Sequence, residues 1–213
     1  MALESDSERV APDESRRSER SRRAILDAAK ELVATIGYEN MSIEAIASRA
    51  GVGKQTIYRW WPSKAAVVLE MWMPEVHPRI EFPDTGDLAA DMKSQLKAVI
   101  DLAQDPTFGP SFRALVAESQ YDEALSAQLV THIFGPRIEA CKQRLRAGQA
   151  AGQLTSDIDL DIAIDLFYGG FYHRHLLRVA PLDHDHADAV VDAVFRGLAA
   201  PTPRSRRKGA ARN

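Results

Sequence analysis

Apolar side chains in this sequence recur at three- and four-residue steps and nowhere alternate as in a strand, and that regularity restricts the chain to helices packed on helices. Ile25, Leu26, Ala29, Leu32, Val33 and Ile36 mark one face of a first helix, which Gly37 stops. Ser42, a good cap, precedes a short second helix carrying Ile43, Ile46, Ala47 and Ala50, with Glu44 in the first turn where the helix dipole favours a negative charge. After Gly51-Val52-Gly53 the run from Lys54 to Trp60 reads as a third helix of about two turns, closed by Pro62. Two short helices around a tight glycine-containing turn form a helix-turn-helix pattern.

Pro62 suits the start of a further helix, Ala65 to Trp72, expected to end at Pro74. The stretch from Val76 to Thr85, with its prolines, reads as a connector. Further helices are expected over 87–104, 107–119, 122–149, 159–179 and 184–199, with Pro136 kinking or dividing the third of these. The expected organisation is all-α. Residues 1–14 form a disordered arm, 15–75 a three-helix helix-turn-helix domain, 76–200 a helical bundle and 201–213 a basic flexible tail.

Charge separates the same segments. The chain of 213 residues carries 27 basic and 30 acidic side chains, for a net charge of −3, which excludes a uniformly basic nucleic-acid coat. Residues 16–64 nevertheless hold ten basic and five acidic groups, against eleven and twenty in residues 65–200. A basic segment on an acidic body suggests that one part faces a polyanion and the other does something else. Cys141 is the single cysteine, so neither an internal disulfide nor a thiolate zinc site is available. The polar N-terminus does not read as a signal peptide, and no apolar run approaches the roughly 18 residues of a membrane span. A cytoplasmic protein without membrane contact is expected.

Within Ser42 to Lys64, the apolar positions Ile43, Ile46, Ala47, Val52, Ile57 and Trp61 can close a small core. That leaves Lys54, Gln55, Thr56, Tyr58 and Arg59 outward. Gln pairs with adenine, Arg with guanine, and Thr offers a hydroxyl and a methyl, so this set suits a major groove. Lys54, Tyr58 and Lys64 suit phosphates, which fix register without reading sequence.

The run from Arg22 to Trp72 resembles the N-terminal domain of the tetracycline-repressor (TetR) family of transcription regulators. The matching residues are Ile25, Ala28, Ala29 and Leu32; Gly37-Tyr38; Ser42; Ile46-Ala47; Ala50-Gly51-Val52; Ile57-Tyr58; Trp61; and Ser63-Lys64. The resemblance implies a homodimeric repressor that binds a palindromic double-stranded DNA operator through the helix from Lys54 to Trp60. It also implies an all-helical C-terminal domain that dimerises and binds a small-molecule effector. Its DNA-binding set here is Arg22, Arg23, Ser42, Lys54, Gln55, Thr56, Tyr58, Arg59, Trp60 and Lys64. Gly53 stands where many members carry a capping Ser, and Trp60 where Tyr is commoner.

The last two expected helices carry Ile164, Leu166, Phe167, Phe171 and Leu176, then Val190, Val191, Val194, Phe195 and Leu198. These broad apolar faces suit either a dimer interface or a monomeric core, and the resemblance favours the dimer. Trp72, Met92, Phe108, Phe112, Tyr121, Phe134, Phe167, Tyr168, Phe171 and Tyr172 are the candidate lining of an effector pocket, with the three tyrosines as polar anchors. The acidic body favours a neutral or cationic ligand over an anionic one. His173 and His175 lie about 200° apart on a helix and cannot chelate one ion together, so no metal or other cofactor is expected. No nucleophile with a matched base, phosphate loop or HExxH motif argues for an enzyme. The rival reading is a helical module that binds protein or a small molecule without an operator.

Overall fold

A computed structural model of the protein describes residues 14–198; the expected N-terminal arm, apart from Glu14, and the basic tail lie outside them. Ten α-helices and one π-helical turn make up the described secondary structure, with no strand among the described residues: α1 Glu14–Asn40, α2 Ile43–Ala50, α3 Lys54–Tyr58, α4 Lys64–Arg79, α5 Leu88–Gln104, α6 Phe108–Ser119, α7 Glu123–Leu129, a π turn Val130–Phe134, α8 Gly135–Ala150, α9 Leu160–Leu177 and α10 His184–Leu198. The all-α expectation holds. The described residues form two compact units: one made of those up to Pro74 with Pro106–Leu129, the other of Glu75–Asp105 and those from Val130 on.

Side-chain caps set where many of these helices start. Ser42 Oγ accepts from the Ala45 amide at 3.1 Å, Asp87 from Ala90 at 3.0 Å, Asp122 from Leu125 at 3.0 Å, and Asp159 from Asp161 at 2.7 Å. Each satisfies a backbone donor that the first helical turn leaves without a partner. The backbone of α1 breaks at Gly37 (φ 76°, ψ 160°). Gly51 ends α2 in the left-handed region (φ 66°), a conformation that any Cβ would strain.

The first unit is built on α1, α2 and α3, with Ile25, Ala29, Val33, Ile46, Ala47, Ile57 and Trp61 buried. By its contacts this unit also takes in α6 and α7, which follow far along the chain. Trp72 meets Phe108 edge-on (centroids 5.1 Å apart), Phe108 stacks on Phe112, and the Tyr38 hydroxyl donates to Glu118 at 2.7 Å. Large buried rings on α6 thus fill space beside α4, and no local pattern in the sequence announces a pairing across that many residues.

The second unit has a continuous core of Leu88, Met92, Leu96 and Ile100 from α5, Cys141 and Leu145 from α8, Phe167 and Phe171 from α9, and Ala187 and Val191 from α10. Along its surface Lys93 pairs with Asp192, Lys97 with Asp188 and His184 with Asp101, which tie α5 to α10 in antiparallel register.

Of two expectations about prolines, one is corrected and one holds. The α4 helix does not end at Pro74 but continues to Arg79, because Val76 stays buried on the helical face beyond the proline. Pro136 divides its segment as expected, and the division takes the form of the π turn before α8. A proline cannot donate to the carbonyl four residues back, here that of His132, and the His77 ring lies 3.3 Å from that oxygen.

Candidate functional site

The α3 helix is held from one side. Ile57 is fully buried against the first unit, whereas Lys54, Gln55, Tyr58 and Arg59 are exposed and Thr56 is half-exposed. Gly53, without a side chain to cap α3, offers its carbonyl, which accepts from the Thr56 amide at 2.9 Å. The helix is shorter than the expected Lys54–Trp60. Trp60 and Trp61 both turn back onto the Ile57 carbonyl at 2.9 Å, so Arg59 and Trp60 stand in the tight turn after the helix. There the Arg59 guanidinium lies over the Trp60 ring, 5.4 Å from its centroid, and Trp60 meets Trp61 edge-on. This stacking restricts the arginine before any partner arrives.

Three other expected contact residues have structural engagements. Lys64 Nζ donates to the carbonyls of Tyr38 at 3.1 Å and Met41 at 3.2 Å and sits over the Tyr38 ring, bracing α4 to the end of α1. Arg22 pairs with Glu70, whose second oxygen accepts from Trp61 Nε1 at 2.7 Å. Both cations thus have partners within the fold and remain part-exposed. Ser42 uses its oxygen as a cap, and its hydroxyl also hydrogen-bonds the Glu44 carboxylate. Arg23 is exposed on α1.

The sequence reading missed Glu44. Its carboxylate meets Lys54 at 2.6 Å, and the hydrogen bond between them holds the Glu44 pKa below and the Lys54 pKa above their ordinary values. Glu44 was read as a dipole partner only, because the ten-residue separation becomes contact only once the turn folds.

The structure does not bring all ten candidate effector residues into one unit. Trp72, Phe108 and Phe112 cluster in the first, where the Trp72 indole N–H is buried with no acceptor among the described residues. Tyr121 is 96% exposed in the turn after α6, which removes it as a buried anchor. Met92, Phe134, Phe167, Tyr168, Phe171 and Tyr172 belong to the second unit. Of these, Met92 and Phe167 lie within its apolar core. The Tyr168 hydroxyl donates to Gln95, and Tyr172 packs edge-on against Phe171 and Phe134 at 5.0 and 6.3 Å. Burial pushes the Cys141 thiol up to about 12, so this cysteine is an unreactive packing group. His173 is exposed and His175 buried, on opposite sides of α9.

A helix whose polar side chains project outward beside a glycine turn, joined to a separate helical unit, defines a helix-turn-helix DNA-binding regulator. Residues 25–71 match the model of bacterial regulatory proteins of the tetR family, and residues 82–194 match the tetracyclin repressor-like C-terminal domain. The chain is 32% identical over 186 residues to the HTH-type transcriptional regulator YdeS of Bacillus subtilis (strain 168), covering 86% of this chain and 92% of that one. It is 28% identical over 191 residues to the DNA-binding transcriptional repressor TetR of Mycobacteroides abscessus, covering 88% and 98%. Among solved structures it is similar to the TetR family transcription regulator SCO0332, with 32% identity, a TM-score of 0.72 and coverage of 84% and 99%. The chain belongs to the TetR family of transcription regulators and is not an enzyme. Regulators of this family bind DNA operators and act as dimers with small-molecule ligands. No helix among the described residues is long and apolar enough to cross a membrane.

Proposed function

We propose that this chain is a repressor that binds a palindromic operator as a homodimer and leaves it when a small molecule occupies the second unit. The observation that carries the reading is the one-sided burial of α3 and the turn after it, with Ile57 inward and Lys54, Gln55, Tyr58 and Arg59 outward. Gln55 and Arg59 have the donor geometry for base edges; Lys54, Tyr58 and the Ser42 hydroxyl suit the phosphates alongside.

The dimer reading is supported by α9. Ile162, Leu166 and Leu177 are exposed on it, and their positions, together with exposed Gly169 and His173, follow helical three- and four-residue steps. The other expected apolar residues divide: Phe167, Phe171 and Val191 turn into the core of the second unit, which leaves this stripe for a second copy. A ligand weakens DNA binding only by preferring a dimer whose two α3 helices no longer match major grooves about 34 Å apart. The α4 helix is one of the chain's passages between the units, since their division at Pro74 falls within it.

Titration of labelled duplex with the purified protein over a salt series tests the reading. Arg59→Ala and Gln55→Ala are expected to lower the ratio of specific to nonspecific affinity, by roughly 1–3 kcal/mol for a bidentate base contact. Lys54→Ala is expected to weaken binding to all sequences alike and reduce the slope of affinity against salt. Specificity left unchanged by both the Gln55 and Arg59 variants overturns the assignment of α3.

A further inference from the structure

The second unit carries two arginines on the inner side of α8, and the fold provides for them differently. Arg144 is buried with a full set of partners: Nε donates to Asp91 at 3.0 Å and to the Pro83 carbonyl at 3.1 Å, and Asp84 lies 3.6 Å away. Arg137, two turns earlier, is half-buried and has no ion pair among the described residues. Its guanidinium donates to the Ile80 carbonyl and lies over the Phe82 ring, 4.9 Å from the centroid. A guanidinium has five N–H donors, so most of its capacity is unused. Burial lowers its pKa, and the carboxylate of exposed Glu81 acts on it in the opposite sense.

Two phenols, Tyr168 and Tyr172, lie one turn apart on α9, and the Tyr172 ring meets Phe134, three residues before Arg137, at 6.3 Å. The Arg137 charge opposes the rise that burial imposes on the pKa of each. Tyr168 is committed, donating to Gln95, whose amide donates in turn to the Ile80 carbonyl at 3.4 Å. The Tyr172 hydroxyl bonds no other described residue, while its ring packs against Phe134 and Phe171. With burial pushing its pKa to about 12, Tyr172 is a neutral donor at physiological pH.

We propose that Arg137 and Tyr172 anchor the effector of this regulator and select an aromatic monoanion, a carboxylate on an aryl or arylalkenyl group. The carboxylate takes the unused guanidinium donors and the Tyr172 proton, and the ring lies among Phe82, Phe134 and Phe171. This rests on the reading of the second unit as the effector domain and adds the chemical class. It reverses the expectation drawn from the acidic body, because exposed carboxylates are screened over about 8 Å in physiological salt whereas a half-buried cation acts at contact. Charge-assisted hydrogen bonds to a carboxylate are about twice as strong as neutral ones, so discrimination against an uncharged isostere follows.

Calorimetric titration of the full chain at neutral pH with benzoate, cinnamate and 1-naphthoate, each beside its primary amide, tests the assignment. At least one carboxylate is expected to bind tenfold or more tightly than its amide. Arg137→Gln is expected to abolish that preference, Arg137→Lys to retain part of it, and Tyr172→Phe to weaken the carboxylate several-fold with an unchanged melting temperature. A merely structural Arg137 would alter melting without altering selectivity. Equal affinity for acid and amide, a preference that survives Arg137→Gln, or a folded protein that binds none of the three acids overturns the proposal. A parallel DNA-release screen separates it from the reading beneath: release by uncharged compounds alone removes the anion and leaves the effector domain, whereas release by no compound of either charge removes both.

Discussion

Asp91 shows how a buried charge is used to hold a loop. Burial alone pushes its carboxyl up, but the Thr85 hydroxyl at 2.7 Å, the Thr85 amide at 3.1 Å and Arg144 outweigh it and hold it below the usual carboxylate range. A folded-state pKa below the unfolded one gives stability that is present above the unfolded value, about 3.9, and lost as pH falls through the folded one. Melting temperature is therefore expected to drop below about pH 4. An Asp91→Asn variant, already less stable at pH 7 by about 3–5 kcal/mol for a broken buried pair, should lose less over that interval. Parallel pH profiles for the two proteins would contradict the assignment. The sequence gives no hint of this network: Arg137 and Arg144 are the same residue type on one helix, and only the fold decides that Asp91 faces the second and not the first.

Elements differed in how far they could be read in advance. The α2 and α3 helices were legible because capping, glycine turns and apolar spacing are all local, and the outward set on α3 follows from the inward Ile57. The path of α4 past Pro74 was not, since burial of Val76 outweighs a local helix breaker. Nor was the membership of α6 in the first unit, which depends on the contacts of Trp72 and Tyr38 with residues far along the chain. The same distinction applies to the lysines flanking α3. Lys64 braces α4 through two carbonyls, so Lys64→Ala is expected to lower stability by about 1–2 kcal/mol, whereas exposed Lys54→Ala should lie within about 0.5 kcal/mol of the parent. Thermal melts of the two variants, set beside their DNA affinities, separate brace from contact. Equal stabilities would return Lys64 to the role of a plain phosphate ligand.

At the scale of the whole molecule, the basic excess of residues 16–64 and the acidic body belong to one functional division. On the proposed reading a polyanion meets the helix-turn-helix, and the second unit binds effector and partner. Its exposed stripe on α9 gives the proposed dimer a direct check. Leu166→Arg is expected to halve the mass seen by light scattering and to reduce operator affinity by at least about tenfold, through loss of the second half-site. An unchanged mass would place the interface elsewhere. The account as a whole stands on sequence-specific recognition by a symmetric pair of α3 helices, and selection from a random duplex pool with the purified, folded protein tests it most directly. The expected result is an enriched inverted repeat whose half-sites are centred about 10 base pairs or a multiple apart. Enrichment that disappears with Arg59→Ala and Gln55→Ala together would tie that repeat to α3. A pool that emerges without enrichment at low and moderate salt would contradict the account.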